Sequence, residues 1–120
     1  MPGLKDVVNL ARLAKPLTWE EGLSVLERDR FRCQYCGLDG MASFENYLVM
    51  SVDFVVPRAG KGKKNPSNLV AACRPCNRLK GRRAFHNFAE AKAHVLKQRA
   101  ELHQQWESRM AKSRGKSATV

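Results

Sequence analysis

Four cysteines are the residues of this sequence whose type and spacing most clearly predict a chemical role. They form two C-x-x-C pairs, Cys33 with Cys36 and Cys73 with Cys76. Two such pairs can offer four thiolates to one ion, which is the ligand set of a structural zinc site. An ion with four protein ligands has no open position, so we expect it to stabilise the fold rather than to catalyse. Disulfides or free thiols are the alternative, and an intracellular location disfavours them.

A single carboxylate, Asp53, interrupts the apolar run VDFVVP at residues 52–57. On a half-buried strand, an aspartate that faces solvent needs no explanation. The alternative is a functional role, which the rest of the chain has to decide. The run itself leaves both interpretations of Asp53 open.

The net charge of the chain is +11, from 22 Lys and Arg against 11 Asp and Glu. The excess is local, because no acidic residue occurs between Phe54 and Ala89. The basic residues of that window are Arg58, Lys61, Lys63, Lys64, Arg74, Arg78, Lys80, Arg82 and Arg83. Such a segment predicts a polyanionic partner, and nucleic acid fits better than an anionic membrane. A basic surface kept for solubility is the alternative.

The length of 120 residues suits one domain. We place that domain at residues 1–111, with a core at about 28–85 and a long helix at about 88–110. Residues 112–120 have the composition of a disordered basic tail. No stretch resembles a signal peptide or reaches the length of a membrane span. We therefore expect an intracellular, cytoplasmic protein without a membrane partner.

Helical periodicity and capping patterns predict the elements before the first cysteine pair. Residues 4–14 fit a short amphipathic helix. Thr18 and Glu21 then form a capping-box pattern. A second helix should follow at about 19–29, and its buried residues should be Trp19, Leu23 and Leu26.

Two strands are predicted by β-branched and aromatic residues, one within residues 47–56 and the other at residues 69–72. The segment before the first strand, residues 37–46, has the composition of a loop. The second cysteine pair then begins a helix. Asn87 and Glu90 form another capping pattern, which opens the long helix. The apolar face of that helix, which can serve as core or as a homodimer contact, consists of Phe88, Ala91, Val95, Leu102 and Trp106.

Taken in order, these motifs resemble the HNH nucleases, which are ββα-metal endonucleases, and among them the type held together by four cysteines. The matching stretches are the first cysteine pair, VDFVVPR at residues 52–58, a Gly/Lys loop, Asn68-Leu69-Val70, and Cys73-x-x-Cys76-Asn77-x-x-Lys80-Gly81. The resemblance covers about residues 28–85. It implies an α+β fold, in which a zinc-stapled, treble-clef-like ββα-metal core stands between N-terminal helices and a long C-terminal helix.

The resemblance also implies a catalytic divalent ion, Mg²⁺ or Mn²⁺, in addition to the structural Zn²⁺. Asp53 and Asn77 would be its protein ligands, and Asn68 would brace the loop between the strands. Two protein ligands leave open positions for water and for a phosphate oxygen. The asparagines also have plainer interpretations, since Asn77 suits a helix start and Asn68 suits a turn.

The sequence departs from the family at Phe54, where the family has the histidine that activates the attacking water. A phenyl ring cannot take a proton, and loss of a general base costs about 10²- to 10⁴-fold in rate. Another group can supply the base: His86 is the first candidate, beside Tyr35, Tyr47 and a second water on the metal. Otherwise the chain is a non-cleaving relative that keeps the fold for binding, or Phe54 was introduced to remove activity.

The sequence thus predicts an HNH-type endonuclease, weakened at its base, that hydrolyses DNA phosphodiester bonds with low sequence specificity. Double-stranded DNA is the substrate that the family implies, and RNA stays open. Phosphate contacts are expected from Arg58, Lys61, Lys63, Lys64, Arg78, Lys80, Arg82 and Arg83. The alternative from another functional class is a non-catalytic, zinc-stabilised module that binds nucleic acid.

Overall fold

The computed structural model describes residues 16–57 and 62–118. The helix predicted at residues 4–14 lies outside these residues, as do Arg58 and Lys61. The described elements are α1 (Trp19–Arg28), α2 (Phe44–Leu48), β1 (Met50–Phe54), a 3₁₀ turn (Pro66–Asn68), β2 (Leu69–Cys73), α3 (Arg74–Lys80) and α4 (Phe88–Ala118). A mixture of helices with a small sheet confirms the predicted α+β class.

The two strands form an antiparallel hairpin, in which Met50 pairs with Cys73 and Phe54 pairs with Leu69. The register therefore places Cys73, the last residue of β2, opposite Met50, the first residue of β1. Arg74 begins α3 immediately afterwards, so strand, strand and helix follow one another as the ββα arrangement requires. Both predicted strands are therefore present, although β1 is shorter than the segment 47–56 that the composition marked.

Helix α1 begins with the predicted capping box, because the side chains of Thr18 and Glu21 each accept a hydrogen bond from the other residue's backbone. The prediction that Trp19 is buried is wrong, since its side chain is 68% exposed. Trp19 is the first residue of the helix, whereas the hairpin is contacted from the other end. There Arg28 donates to the carbonyl of Leu69 at 2.6 Å, and a carboxylate oxygen of Asp29 accepts from the backbone of Ala71 at 2.8 Å.

Helix α2 lies partly within the segment predicted as a loop. Ser43 caps it by accepting a hydrogen bond from the backbone N–H of Asn46 at 3.1 Å. This is the standard role of a serine at a helix start, and with only five helical residues the element was too short to show a periodic pattern.

Helix α4 packs on the core through its first turns only. Ala91 and Val95 are fully buried, whereas Leu102 and Trp106 are 47% and 50% exposed. The predicted apolar face is therefore buried at its beginning and uncovered further along. The capping prediction is confirmed, because Asn87 accepts from the backbone of Glu90 at 2.8 Å.

The same helix continues to Ala118, so the prediction of a disordered tail is wrong for residues 112–118. The segment AKSRGKSA contains no proline, and its alanines, lysines and arginine are acceptable helix residues. A single glycine within a helix costs only about 1 kcal/mol relative to alanine, so Gly115 need not end it.

None of the helices within residues 16–57 and 62–118 is long and apolar enough to cross a membrane.

Candidate metal centre and active site

The four cysteines come together beneath the hairpin. Their sulfur atoms all lie within 4.8 Å of one another, and the sulfurs of Cys36 and Cys73 are 3.8 Å apart. Four Zn–S bonds of about 2.3 Å in a tetrahedron place the sulfurs about 3.8 Å apart. The predicted clustering is therefore confirmed, and the four sulfurs fit a single tetrahedral metal ion.

Two local features bring the cysteine pairs together. The first pair lies in a tight turn that closes when Gly37 donates to the carbonyl of Cys33 at 2.9 Å, and Gly37 adopts a φ of 81°, which favours glycine. The turn is attached to β2, because the N–H of Gln34 donates to the carbonyl of Ala71 at 2.9 Å. Since β2 ends at Cys73, this hydrogen bond places the first cysteine pair next to the second.

The cysteine side chains also form hydrogen bonds with one another, as expected for thiols that lie this close together. Hydrogen bonds from Cys73 and Cys76 lower the pKa of Cys33 well below its ordinary value. The thiolate is the form that binds metal.

Arg99 contributes a positive charge to the cysteine cluster from α4. Its Nη1 donates to the sulfur of Cys76 at 3.5 Å. Partial burial opposes the charge of Arg99, but the neighbouring cysteines outweigh it and raise its pKa. The sequence did not predict this contact, because Arg99 follows Cys76 at a distance that carries no motif.

Asp53 faces the interior, and only 4% of the residue is exposed to solvent. The hydroxyl of Tyr35 donates to its Oδ2 at 2.5 Å, and the ammonium of Lys80 lies 3.3 Å from its Oδ1. Burial raises the pKa of Asp53, while the hydrogen bond from Tyr35 and the charge of Lys80 oppose that rise. Asp53 is therefore not the solvent-facing strand residue that the sequence left open.

Lys80 is almost fully buried at 1% exposure. Besides its ion pair with Asp53, its ammonium donates to the carbonyl of Phe54 at 2.9 Å. The prediction that Lys80 contacts nucleic acid is therefore wrong, because an enclosed ammonium cannot reach a phosphate. The sequence misled here because Lys80 stands among exposed basic residues, and only the orientation of α3 turns it inward.

The carboxylate of Asp53 is thus paired with the ammonium of Lys80. Asn77 is half-buried on α3, three residues before Lys80. Residues three apart in a helix are neighbours on its surface. A carboxylate and an amide oxygen are both ligands that Mg²⁺ accepts.

The side chain of Asn68 forms hydrogen bonds with the backbone of the segment that follows β1. Its Oδ1 accepts from the N–H of Val56 at 2.8 Å, and its Nδ2 donates to the carbonyls of Val56 and Lys63 at 3.0 Å each. All three bonds hold backbone of the segment that connects β1 with β2. These contacts are those of a loop brace, the role that the resemblance implied for Asn68.

The candidate bases differ in their surroundings. Tyr35 is buried, and burial together with Asp53 raises its pKa far above the ordinary range, so it stays protonated and serves as a donor. Tyr47 lies in α2 and its ring centroid is 6.3 Å from that of Phe31. His86 is exposed between α3 and α4, and among the described residues no contact joins it to Asp53. Phe54 itself is half-buried.

The predicted phosphate-binding residues fall into three groups in the structure. Lys63, Arg78, Arg82 and Arg83 are exposed. Lys64 is half-buried and its ammonium pairs with Oε1 of Glu21 at 2.9 Å. Lys80 is buried, as described above. The exposed members leave a basic surface on and after α3.

Comparison with known proteins agrees with this geometry. The family model of the HNH endonuclease matches residues 33–83. That segment is therefore similar to an HNH endonuclease domain. Its limits enclose the four cysteines, the hairpin and α3, so the resemblance stated from the sequence is confirmed.

Two curated relatives share this domain. The chain is 39% identical over 66 residues to the CRISPR-associated endonuclease Cas9 of Corynebacterium diphtheriae, covering 54% of this chain and 6% of the relative. It is 38% identical over 69 residues to the Cas9 of Actinomyces naeslundii, covering 57% of this chain and 6% of the relative. The chain thus spans a small part of the length of these proteins. No solved structure matches it significantly.

Proposed function

We propose that this chain acts on DNA as an HNH-type, metal-dependent endonuclease of low rate and low sequence specificity. The observation that carries the proposal is the match of residues 33–83 to the HNH endonucleases. The similarity to two proteins named as endonucleases supports the same class of reaction, which is hydrolysis of a phosphodiester bond.

Binding would depend on the exposed basic residues on and after α3. Arg78, Arg82 and Arg83 can contact phosphates from this surface, and Lys63 can contact them from the segment between the strands. Contacts of this kind read charge and not base sequence. We therefore expect affinity that falls steeply with salt and varies little between sequences.

The residues for a catalytic ion would be Asp53 and Asn77, and the four cysteines would hold zinc. A divalent ion held by these residues would supply Lewis-acid polarisation of the phosphate and charge stabilisation of the leaving oxygen. Tyr35 holds one carboxylate oxygen of Asp53 in place, which orients the other towards α3. Lys80 supplies the neutralising charge until an ion takes that position.

A low rate is expected because two features oppose fast hydrolysis. Phe54 cannot take a proton from water, so the reaction lacks the base that the family uses. His86 stays the first candidate as a substitute, since it is exposed and follows α3 closely. The second feature is the Lys80–Asp53 ion pair, which an incoming ion must break.

The same two features favour a second candidate function, a DNA-binding module that does not cleave. In that case the ion pair would be permanent and would simply close the core beside the cysteine cluster. The basic surface would then carry the whole function.

A nicking assay separates the two functions. Supercoiled plasmid is incubated at low salt with Mg²⁺ or Mn²⁺ and with the parent chain, Asp53→Asn, or the matched surface control Glu45→Ala. Asp53→Asn keeps the shape of the side chain, and Glu45 is exposed in the first turn of α2. Nicking by the parent and by Glu45→Ala, and its loss in Asp53→Asn, supports the endonuclease. Binding without nicking in all three supports the module.

A further inference from the structure

A groove of about 820 Å³ lies between α3 and the exposed part of α4, away from Asp53. Its walls combine apolar surface with positive charge. The residues that define it are Arg74, Arg78, Arg99, Leu102 and Trp106. Arg78 also belongs to the basic surface proposed to bind phosphates, and Arg99 contacts Cys76, but the exposed Trp106 and Arg74 have no part in either site.

Two of the three arginines are available to a ligand. Arg99 is engaged with the sulfur of Cys76. Arg74 and Arg78 are exposed, and within residues 16–57 and 62–118 neither forms an ion pair with a carboxylate. Arginine suits phosphate because its planar donors match two phosphate oxygens at once. One wall of the groove therefore offers two phosphate contacts.

Trp106 forms part of the same groove and is half exposed. Its indole contacts the ring of His103, with ring centroids 5.4 Å apart, and His103 in turn contacts Glu107 at 3.2 Å. An indole that is oriented but uncovered is a platform on which a flat ring can stack. Stacking of nucleic-acid bases on aromatic side chains, next to basic residues, is how single strands are commonly bound.

We propose that this groove binds single-stranded DNA, with one base stacked on Trp106 and neighbouring phosphates on Arg74 and Arg78. A duplex does not fit this role, because its bases cover one another's faces and cannot reach the indole. A second copy of the chain fits poorly, because a symmetric contact would bring the same arginines against each other. The inference rests on the proposed action on DNA, but it does not depend on Asp53 or on cleavage.

The experiment uses Trp106 as its own reporter. The chain contains two tryptophans, so Trp19→Phe leaves Trp106 as the only one. We expect a dT₁₂ strand to quench its fluorescence and the quenching to weaken with salt, since phosphate contacts release counterions. Trp106→Ala should weaken binding of a labelled dT₁₂ strand by roughly 5- to 150-fold. Arg74→Ala and Arg78→Ala should each weaken it and reduce the salt dependence.

Leu96→Ala provides the matched control, because Leu96 is an exposed apolar residue of α4 that does not line the groove. Its affinity for dT₁₂ should equal that of the parent. Circular dichroism checks that each variant keeps its helix content. Equal affinities of the Trp106→Ala and Leu96→Ala variants would overturn the inference.

The remaining outcomes separate this inference from the proposed function. Duplex binding without any quenching of Trp106 by dT₁₂ would overturn the groove and leave the proposed function standing. Absence of binding to both single strands and duplex would overturn both. Dimerisation in light scattering that Trp106→Ala abolishes, with no response to dT₁₂, would assign the groove to a second copy instead.

Discussion

The ammonium of Lys80 lies 3.3 Å from Oδ1 of Asp53 and donates to the backbone carbonyl of Phe54 at 2.9 Å. One buried cation thus joins the last residue of α3 to two consecutive residues of β1. Strand and helix, which in the proposed function would share a divalent ion, are here held together by a lysine.

Replacing Lys80 by methionine should destabilise the fold, because Asp53 is left as a buried charge without its cation. Breaking one partner of a buried ion pair typically costs about 3–5 kcal/mol. We expect this loss in the free energy of unfolding measured with urea. Arg82→Met is the matched control, and as an exposed substitution it should change the same quantity by less than about 0.5 kcal/mol.

The same variant tests whether a divalent ion can take the place of Lys80. Mn²⁺ should raise the melting temperature of Lys80→Met more than that of the parent. The double variant Asp53→Asn/Lys80→Met, which has neither charge, should not respond to Mn²⁺. An equal response of all three proteins would mean that Asp53 is not a metal ligand.

Introducing a base at the position of Phe54 should raise the rate of plasmid nicking. General bases contribute about 10²- to 10⁴-fold, so Phe54→His should increase nicking by roughly tenfold or more even in an imperfect geometry. Phe54→Gln is the control, because an amide can hydrogen-bond to water but cannot take its proton. If the histidine and glutamine variants nick equally slowly, the site assigned around Asp53 is not catalytic.

Removing Arg99 should loosen the metal at the cysteine cluster, because its guanidinium is the cation in contact with Cys76. Loss of a residue that supports a metal ligand typically lowers affinity about 10- to 100-fold. Competition with a coloured chelator should therefore extract the metal, which we expect to be zinc, more readily from Arg99→Gln than from the parent. Arg109→Gln, an exposed change on the same helix, should behave like the parent.

Releasing Lys64 from Glu21 should strengthen binding to DNA at low salt. The hydrogen bond from Lys64 is the main cause that lowers the pKa of Glu21 from 4.5 to about 2, so Glu21 is ionised at neutral pH and can pair with Lys64. It weakens only as the pH falls below 4.5 towards 2, where Glu21 takes a proton. Glu21→Gln should therefore give tighter duplex binding at pH 7 by fluorescence anisotropy, while the neighbouring Glu20→Gln should give little change.

The metal cluster and the order of the core elements could be predicted from the sequence, because both depend on local and strongly constrained chemistry. Two C-x-x-C pairs have few uses in one chain, and β-branched runs mark strands wherever they occur. The ends of elements were less predictable. Ser43 starts a helix that is too short to show periodicity, and α4 continues past residue 110 because nothing in its last turns forbids helix.

The partners of individual charges were not predictable, since they depend on how α3 and α4 are rotated against the hairpin. Lys80 looks like its exposed neighbours in the sequence, yet it is buried. Arg99 carries no motif, yet it reaches the cysteine cluster. Trp106 continues an apolar stripe, yet the core ends before it. The burial or contact of each of these residues depends on parts of the structure that are distant along the chain.

Tyr35 stands between Cys33 and Cys36 in the chain and places its hydroxyl on Asp53. The turn that carries the first cysteine pair therefore also carries the phenol that holds the acid. A change in the shape of that turn would reach the carboxylate through this one hydrogen bond. One side chain therefore links the geometry of the cysteine pair to the orientation of the buried acid, although Tyr35 and Asp53 lie 18 residues apart in the chain.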